Sequence, residues 1–592
     1  FTNDGGLKKQ RKPTAVVNVA LNYQPFEWLT FQGNYAANYW ENHTSDFRKV
    51  VQTYKYDGSP YYRSPQKSTL NDQTSRNLRN LLTASATFDK QFNDHGIKAM
   101  VGYQQEDHRY DMHKGYRENY AFPDYPVLDA GGEENQKAYG NSYEWSLRSI
   151  FGRINYDYQG KYLFEANMRY DGSSRFAEGN KWGIFPSVSA GWRISEEAFW
   201  EPIRNIIDNL KFRASWGQLG NQNVMNADNS AIDPYPFSSN VNLDTKYIFD
   251  KTISSGAAIT NMANRKITWE TTTSTDIGID ATLFGKLNIT TDYFYKVTDD
   301  ILMKLNVPLI IGMDAPSQNA GKMENRGWEV SLSYADQVGD FNYRASFNIS
   351  DVRNKILDMR GVNQTGLTVN REGHEMYSIY GLEAIGYIQP EDYDADGNYL
   401  GATQYGNFGP GDIKYKDQNG DGVINTSDYK IIGGTIPRYT FGLSLYGDYK
   451  GFDLSMLFQG VGKADGYING QGIQTFIEGG TVQEQHKDYW TPENRNAKFP
   501  RLAFNETNNM QNSSFWMKNA AYIRLKNVQL GYALPKNVLR KTPISYLRFY
   551  VSGDNLLTID SFWDGFDVEA PIGNGGYYPQ LKTISFGVDL KF

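Results

Sequence analysis

Polar and apolar residues alternate with a period of two along most of this chain, most cleanly over 582–592. There Ile584, Phe586, Val588, Leu590 and Phe592 fall on one face of a strand. Thr583, Ser585, Gly587, Asp589 and Lys591 fall on the other, because strand side chains alternate. The same pattern predicts strands near 14–24, 27–40, 78–92, 96–108, 146–158, 161–171, 185–195, 209–217 and 272–283. It continues near 286–302, 327–336, 340–350, 438–449, 452–461, 517–533 and 545–556. That makes about seventeen strands in all. In one predicted pair, Leu443 and Leu445, then Phe452, Leu454, Met456 and Phe458, face outward around the turn Gly447-Asp-Tyr-Lys-Gly451. Near Asn527 the register slips from odd (Ile523, Leu525) to even (Val528, Leu530, Tyr532), which predicts a β-bulge.

The spacing between strands is uneven. Tight turns join some, whereas 42–76, 109–144, 218–268, 351–436 and 462–514 read as long loops. Short turns at one rim and long loops at the other describe a transmembrane antiparallel β-barrel. In such a barrel the apolar face of 584–592 meets lipid instead of forming a sticky sheet edge. The expected fold class is therefore all-β, with residues 1–592 as one barrel wall and its extracellular loops. No segment approaches 18 consecutive apolar residues, so the chain has no helical span.

Composition agrees. The 43 Tyr and 32 Phe accompany a hydrophilic mean hydropathy, which suits aromatic girdles, a polar lumen and polar loops. The absence of Cys fits an oxidising compartment. A net charge of −7 without a basic cluster argues against nucleic acid as a partner. The chain opens on Phe1-Thr-Asn-Asp-Gly-Gly, with no initiator Met and no secretory leader, so a processed protein or a fragment is expected.

The sharpest chemical motif is Asp417-Gln-Asn419-Gly-Asp421-Gly-Val423-Ile-Asn-Thr-Ser-Asp428. Its oxygen side chains at loop positions 1, 3 and 5, Gly422 at 6, the Val423 carbonyl at 7 and a carboxylate at 12 follow the calcium-loop pattern. Asp417, Asn419, Asp421, Val423 and Asp428 are the candidate Ca2+ ligands, in a calcium-type insertion over 405–435. Asp428 replaces the usual Glu, and the role expected is structural. Asp392-Tyr-Asp394-Ala-Asp396-Gly-Asn398 is a weaker echo and reads as a turn. Trp269-Glu270 and Asn325-Arg-Gly-Trp-Glu329 each open a strand, and their tryptophans read as interfacial. The six His are scattered, with His108 and His113 flanking Asp111 in a loop cluster. There is no Cys nucleophile, H-E-x-x-H motif or G-x-S-x-G elbow, so no catalytic role is expected.

Several stretches together resemble the SusC/RagA group of TonB-dependent outer-membrane transporters. They are Arg169-Tyr-Asp-Gly-Ser-Ser-Arg-Phe176 with Trp182, Phe185-Pro-Ser187, Gly191-Trp-Arg193, Ser215-Trp-Gly217, Trp269-Glu270 and Asn325-Arg-Gly-Trp-Glu329. Gly411-Asp-Ile-Lys-Tyr-Lys-Asp417, Pro437-Arg-Tyr439, Tyr522-Ile-Arg-Leu525 and Ser552-Gly-Asp-Asn-Leu556 follow in family order. The terminal Phe592 behind Ile584, Phe586, Val588 and Leu590 resembles the insertion signal of bacterial outer-membrane barrels.

The resemblance implies a 22-stranded barrel, of which about 16–18 strands lie here. It also implies residence in the outer membrane of a Gram-negative bacterium and import of oligosaccharides or, in some members, peptides. A SusD-like surface lipoprotein is the implied partner, with TonB acting through a plug region that this sequence does not show. Loop aromatics Tyr235, Tyr247, Tyr393, Tyr399, Tyr405, Tyr467 and Phe476 are then expected to form an exposed platform for ligand or lipoprotein. Two other classes remain open from the residues alone. An outer-membrane enzyme would need a rim cluster of His and carboxylates, and a soluble glycan-binding protein would need half-polar outward strand faces.

Overall fold

A computed structural model describes the whole chain except residues 1–4, 226–231, 250, 306, 363–365, 478–479, 505 and 579. Among the described residues eighteen strands belong to one large sheet. Among the described residues no helix is long and apolar enough to cross a membrane. The chain forms two compact units. One comprises Phe1–Ala190, Trp216–Thr273 and Asp300–Ala320, the other Gly191–Ser215, Ser274–Asp299 and Gly321–Phe592.

The first unit is dominated by very long strands. β1 (Gly6–Arg11) and β2 (Thr14–Phe26) both pair with β3 (Leu29–Arg48), so they form one strand interrupted at Lys12-Pro13. Pro13 has no N–H to give to the ladder, and a break there is the expected result. β4 (Thr69–Phe92), β5 (His95–Glu118), β6 (Gly132–Tyr158) and β7 (Tyr162–Ser173) follow as antiparallel neighbours. β4 and β5 pair from Thr69↔Glu118 to Phe92↔His95 without a slip.

These strands correct two expected loops. Residues 42–48, 69–76, 109–118 and 132–144 are strand, and the true connections shrink to 49–68 and 119–131. β4, β5 and β6 run 24, 24 and 27 residues, whereas about 10 suffice to cross a bilayer. The outward face explains why the pattern faded early. It carries exposed Tyr35, Leu82, Tyr103 and Ile150, then switches to charge. Arg76 Nε donates to Glu41 at 3.0 Å, and Arg109 donates to Asp111 at 2.9 Å and Glu144 at 2.7 Å. Beyond the lipid the ladder continues, but nothing requires its outer residues to be apolar.

The second unit contains β8 (Ser317–Val338), β9 (Phe341–Asp358), β10 (Arg438–Tyr449), β11 (Phe452–Lys463), β12 (Tyr522–Ala533), β13 (Tyr546–Asp560) and β14 (Thr583–Lys591). Each pairs antiparallel with the next. The turn between β10 and β11 tightens to Lys450-Gly451, with φ of 46° and 92°. Two positive φ values match the twist of a two-residue hairpin. The predicted bulge is present: Leu457 faces Asn527 and Phe458 faces Leu525, leaving Lys526 as the extra residue.

Three connections of this unit do not behave as separate loops. The segments between β9 and β10, β11 and β12, and β13 and β14 share one hydrophobic core. Ile379, Leu382, Ile413, Tyr467, Ile468, Ile473 and Ala520 are fully buried in it, beside Trp516, Phe562 and Trp563. Backbone pairing stitches the same segments together. Asp465–Ile468 lies between Met517–Asn519, antiparallel, and Ile572–Gly573, parallel. The result is a folded cap with a hydrophobic core of its own.

Candidate functional site

Buried charge pairs brace the strand ends, the cap and the link between them. Arg438, opening β10, donates to Asp351 on β9 through two bonds of 2.7 and 2.6 Å and ties one strand to the next where their connection leaves the sheet. Arg524 on β12 reaches Asp567 at 3.0 Å and Glu569 at 2.8 Å, pinning the connection after β13. Within the cap, Arg501 holds the fully buried Asp412 through two bonds of 2.7 Å, and Asn509 Nδ2 donates to the same carboxylate at 2.8 Å. A buried carboxylate needs such satisfaction, because leaving it unpaired costs several kcal/mol, about 3–5. Sequence reading missed these anchors, since their partners lie 43 to 89 residues apart.

The 417–428 segment folds as a tight polar turn. Asp417 accepts N–H bonds from Gly420 (2.7 Å) and Gly422 (2.8 Å), and both glycines sit at positive φ. The Gly422 N–H foremost holds the Asp417 carboxyl below its ordinary range. Asn419 and Asp421 accept from the N–H groups two residues ahead. Asp428 is fully buried and accepts from Gln418 N at 2.8 Å and Asn425 N at 2.9 Å. The donor set has the oxygen chemistry that Ca2+ takes. As folded, however, both Asp428 oxygens already serve backbone N–H groups. Among the described residues no cluster of three or more His, Asp or Glu side chains is arranged to hold a metal. Lys430 and Gln418 donate to Glu383 beside this turn and push its carboxyl down to about 2.

The platform aromatics fall into different environments. Tyr467 is fully buried, and its hydroxyl accepts from Ser513 N at 3.3 Å. It supports the cap from inside, which corrects its expected place on an exposed platform. Tyr393 and Tyr399 pack at 5.3 Å across the turn that Asp394 closes, confirming a turn there. Burial pushes the hydroxyls of Tyr399 and Tyr405 up to about 12. Phe476 meets the exposed Phe504 edge-on at 6.0 Å. In the other unit Tyr235 is partly exposed and accepts from Glu144 N at 3.2 Å, and Tyr247 stands exposed on the hairpin Val241–Phe249/Thr252–Ile259.

Trp269 also departs from expectation. It is buried between Phe176 (5.4 Å) and Phe185 (5.2 Å), and its Nε1 donates to the Lys181 carbonyl at 3.0 Å. This is packing, not an interfacial position. In the C-terminal strand Ile584, Phe586, Val588, Leu590 and Phe592 are all exposed, Phe586 by 84%, and so are Thr583, Ser585, Asp589 and Lys591 between them. On the opposite face Asp589 accepts from Arg548 at 2.8 Å.

An antiparallel sheet with lipid-compatible outer residues and a folded crown defines an outer-membrane β-barrel. Residues 3–556 match the family described as TonB dependent receptor-like, beta-barrel, and the chain belongs to that family. Members are outer-membrane proteins of Gram-negative bacteria. TonB-dependent receptor P26 of Formosa agariphila is 32% identical over 76% of this chain and 46% of its own length. TonB-dependent receptor SusC of Bacteroides thetaiotaomicron is 28% identical over 76% of this chain and 44% of its own. The chain thus spans about half the length of the curated relatives it matches. A chain of the RagAB peptide importer in its 'open-open' state superposes with a TM-score of 0.82 at 23% identity, over 99% of this chain and 62% of that one, and shares its fold.

Proposed function

We propose that this chain forms the wall and mouth of a TonB-dependent importer of oligosaccharides. On this reading a SusD-like surface lipoprotein covers the cap, and TonB acts through the plug region of the full-length protein. The folded cap carries the proposal. Three connections sharing one hydrophobic core make a preformed surface on the long-loop side, which is extracellular in barrels of this class. Membership of a family that includes SusC supports it. The second reading is peptide import, supported by the fold shared with the RagAB peptide importer. Deleting the gene and measuring uptake of labelled oligosaccharides and oligopeptides separates the two. Loss of oligosaccharide uptake, with co-purification of a surface lipoprotein from wild type, is expected. Loss of peptide uptake alone would overturn the glycan reading.

A further inference from the structure

We propose that the inner face of β3–β6 carries a stacking ledge of Trp40, His108 and Trp145 that takes the ring faces of a neutral oligosaccharide. The proposal rests on the importer reading and names a subsite within it.

Strand register brings these rings together. Trp40 on β3 faces Asn77 on β4, and His108 on β5 faces Trp145 on β6. All lie on the face opposite exposed Tyr35, Leu82, Tyr103 and Ile150, so they point inward. Trp40 and His108 have ring centroids 5.8 Å apart, and His108 and Trp145 are 5.4 Å apart, each pair tilted by 30°. Tyr143 extends the row at 6.0 Å from His108, and Tyr110 stacks on it at 4.8 Å.

The ledge is braced. The buried Arg175 guanidinium lies 4.7 Å from the Trp145 ring and bonds Asn223. His108 Nε2 lies 3.2 Å from Asn77 Oδ1, and Arg79 pairs with buried Glu106 at 2.6 Å. Such support fixes rotamers before any ligand arrives, which lowers the entropic cost of binding. Two buried polar atoms at the ledge, His108 Nδ1 and Arg175 Nε, have no hydrogen-bond partner. Buried donors and acceptors are normally satisfied, so two on side chains that both pack on Trp145 mark a place built to meet something else.

Beside Trp40 opens a cavity of about 620 Å3, lined in part by Lys12, Asn38, Asn42, Asn77 and Arg79. That volume lies in the range of ligand sites, roughly 300–1,000 Å3. The chemistry selects the ligand class. Side-chain amides both donate and accept, as sugar hydroxyls require, and flat aromatic faces suit the apolar faces of sugar rings. Arg79 is already neutralised by Glu106, which disfavours an anionic ligand. The β3–β6 ladder that carries the rings is itself fully paired. The outward neighbours of the ledge are the charged Glu41, Arg109 and Glu144. The site therefore lies past the lipid band, on the side of the long connections, where an incoming ligand would arrive.

The test uses the full-length protein in detergent, titrated calorimetrically with maltohexaose, cellohexaose, xylohexaose, mannohexaose and hexaalanine. Trp40→Ala and Trp145→Ala are compared with lipid-facing Tyr35→Ala, and a gel-mobility shift on boiling confirms folded barrel. At least one hexasaccharide is expected to bind wild type and to lose affinity about tenfold or more in each Trp variant but not in Tyr35→Ala. Trp40→Phe, which keeps a ring, should retain most of the affinity and serves if Trp40→Ala does not fold. Oligosaccharide binding unchanged in the Trp variants overturns the ledge and leaves the importer reading standing. Binding of hexaalanine alone, or of no hexasaccharide, overturns the neutral-glycan assignment, and peptide uptake in cells would then replace the oligosaccharide reading with peptide import.

Discussion

β4–β6 and the cap above β9–β14 both carry protein beyond the lipid, by opposite means. The first region prolongs the ladder itself. Each added residue keeps its inter-strand bonds, and the outer face exchanges apolar side chains for ion pairs such as Glu41–Arg76. The second region ends most of its strands at 12 to 15 residues and gathers three connections around Tyr467, Ile473 and Trp516. A ladder is local, so damage to one outer pair stays confined. A core is shared, so one lost side chain weakens all three connections.

That contrast can be broken most directly at Tyr467. Tyr467→Ala should destabilise the cap by about 3–5 kcal/mol, as loss of a buried aromatic does. Limited proteolysis should then cut 359–437 and 464–521 together while the boiling-dependent gel shift persists. Deleting 465–480 should act more severely, because it removes Tyr467, Ile468 and Ile473 together. Cleavage confined to a single connection would show that the core is not shared.

The lipid-facing surface comes next. Phe586→Arg should cost about 2–4 kcal/mol near the bilayer midplane. Asp589→Ala should cost about 1 kcal/mol or less, because Arg548 keeps Asp453 at 2.6 Å and Asp589 is partly exposed. Refolding titrations into lipid vesicles read both, and equal tolerance defeats the assignment of faces.

A calcium site in the 417–428 turn would stabilise the cap by about 1.4 kcal/mol when the ion stands at ten times its dissociation constant. Calorimetric titration should give calcium heat in wild type and none in the Asp417→Ala, Asp421→Ala double variant. Absence of heat in wild type removes the proposed ion and leaves the turn held by backbone bonds alone.

The smallest effect concerns acid. Glu383 lies near 2 in the folded cap against an ordinary 4.5, so its ion pairs stabilise above about pH 4.5 and are lost as pH falls toward 2. Amide exchange across 413–430 should quicken over that window in wild type. Glu383→Gln should remove the pH dependence, and an unchanged profile would assign it elsewhere.

The period-2 pattern by itself determined that this chain is all-β and that the strand register slips near Asn527. It did so because the bilayer demands alternation only where lipid touches the wall. Alternation stops at Tyr39 on β3, yet pairing runs on to Arg48, so strand length beyond the lipid was not legible. Tertiary structure alone decided that Tyr467 is interior, that Trp269 packs between two phenylalanines, and that Arg501 reaches Asp412 across 89 residues. It also decided the gathering of Trp40, His108 and Trp145. These contacts depend on strand register and on which connections share a core, and neither leaves a periodic trace along the chain.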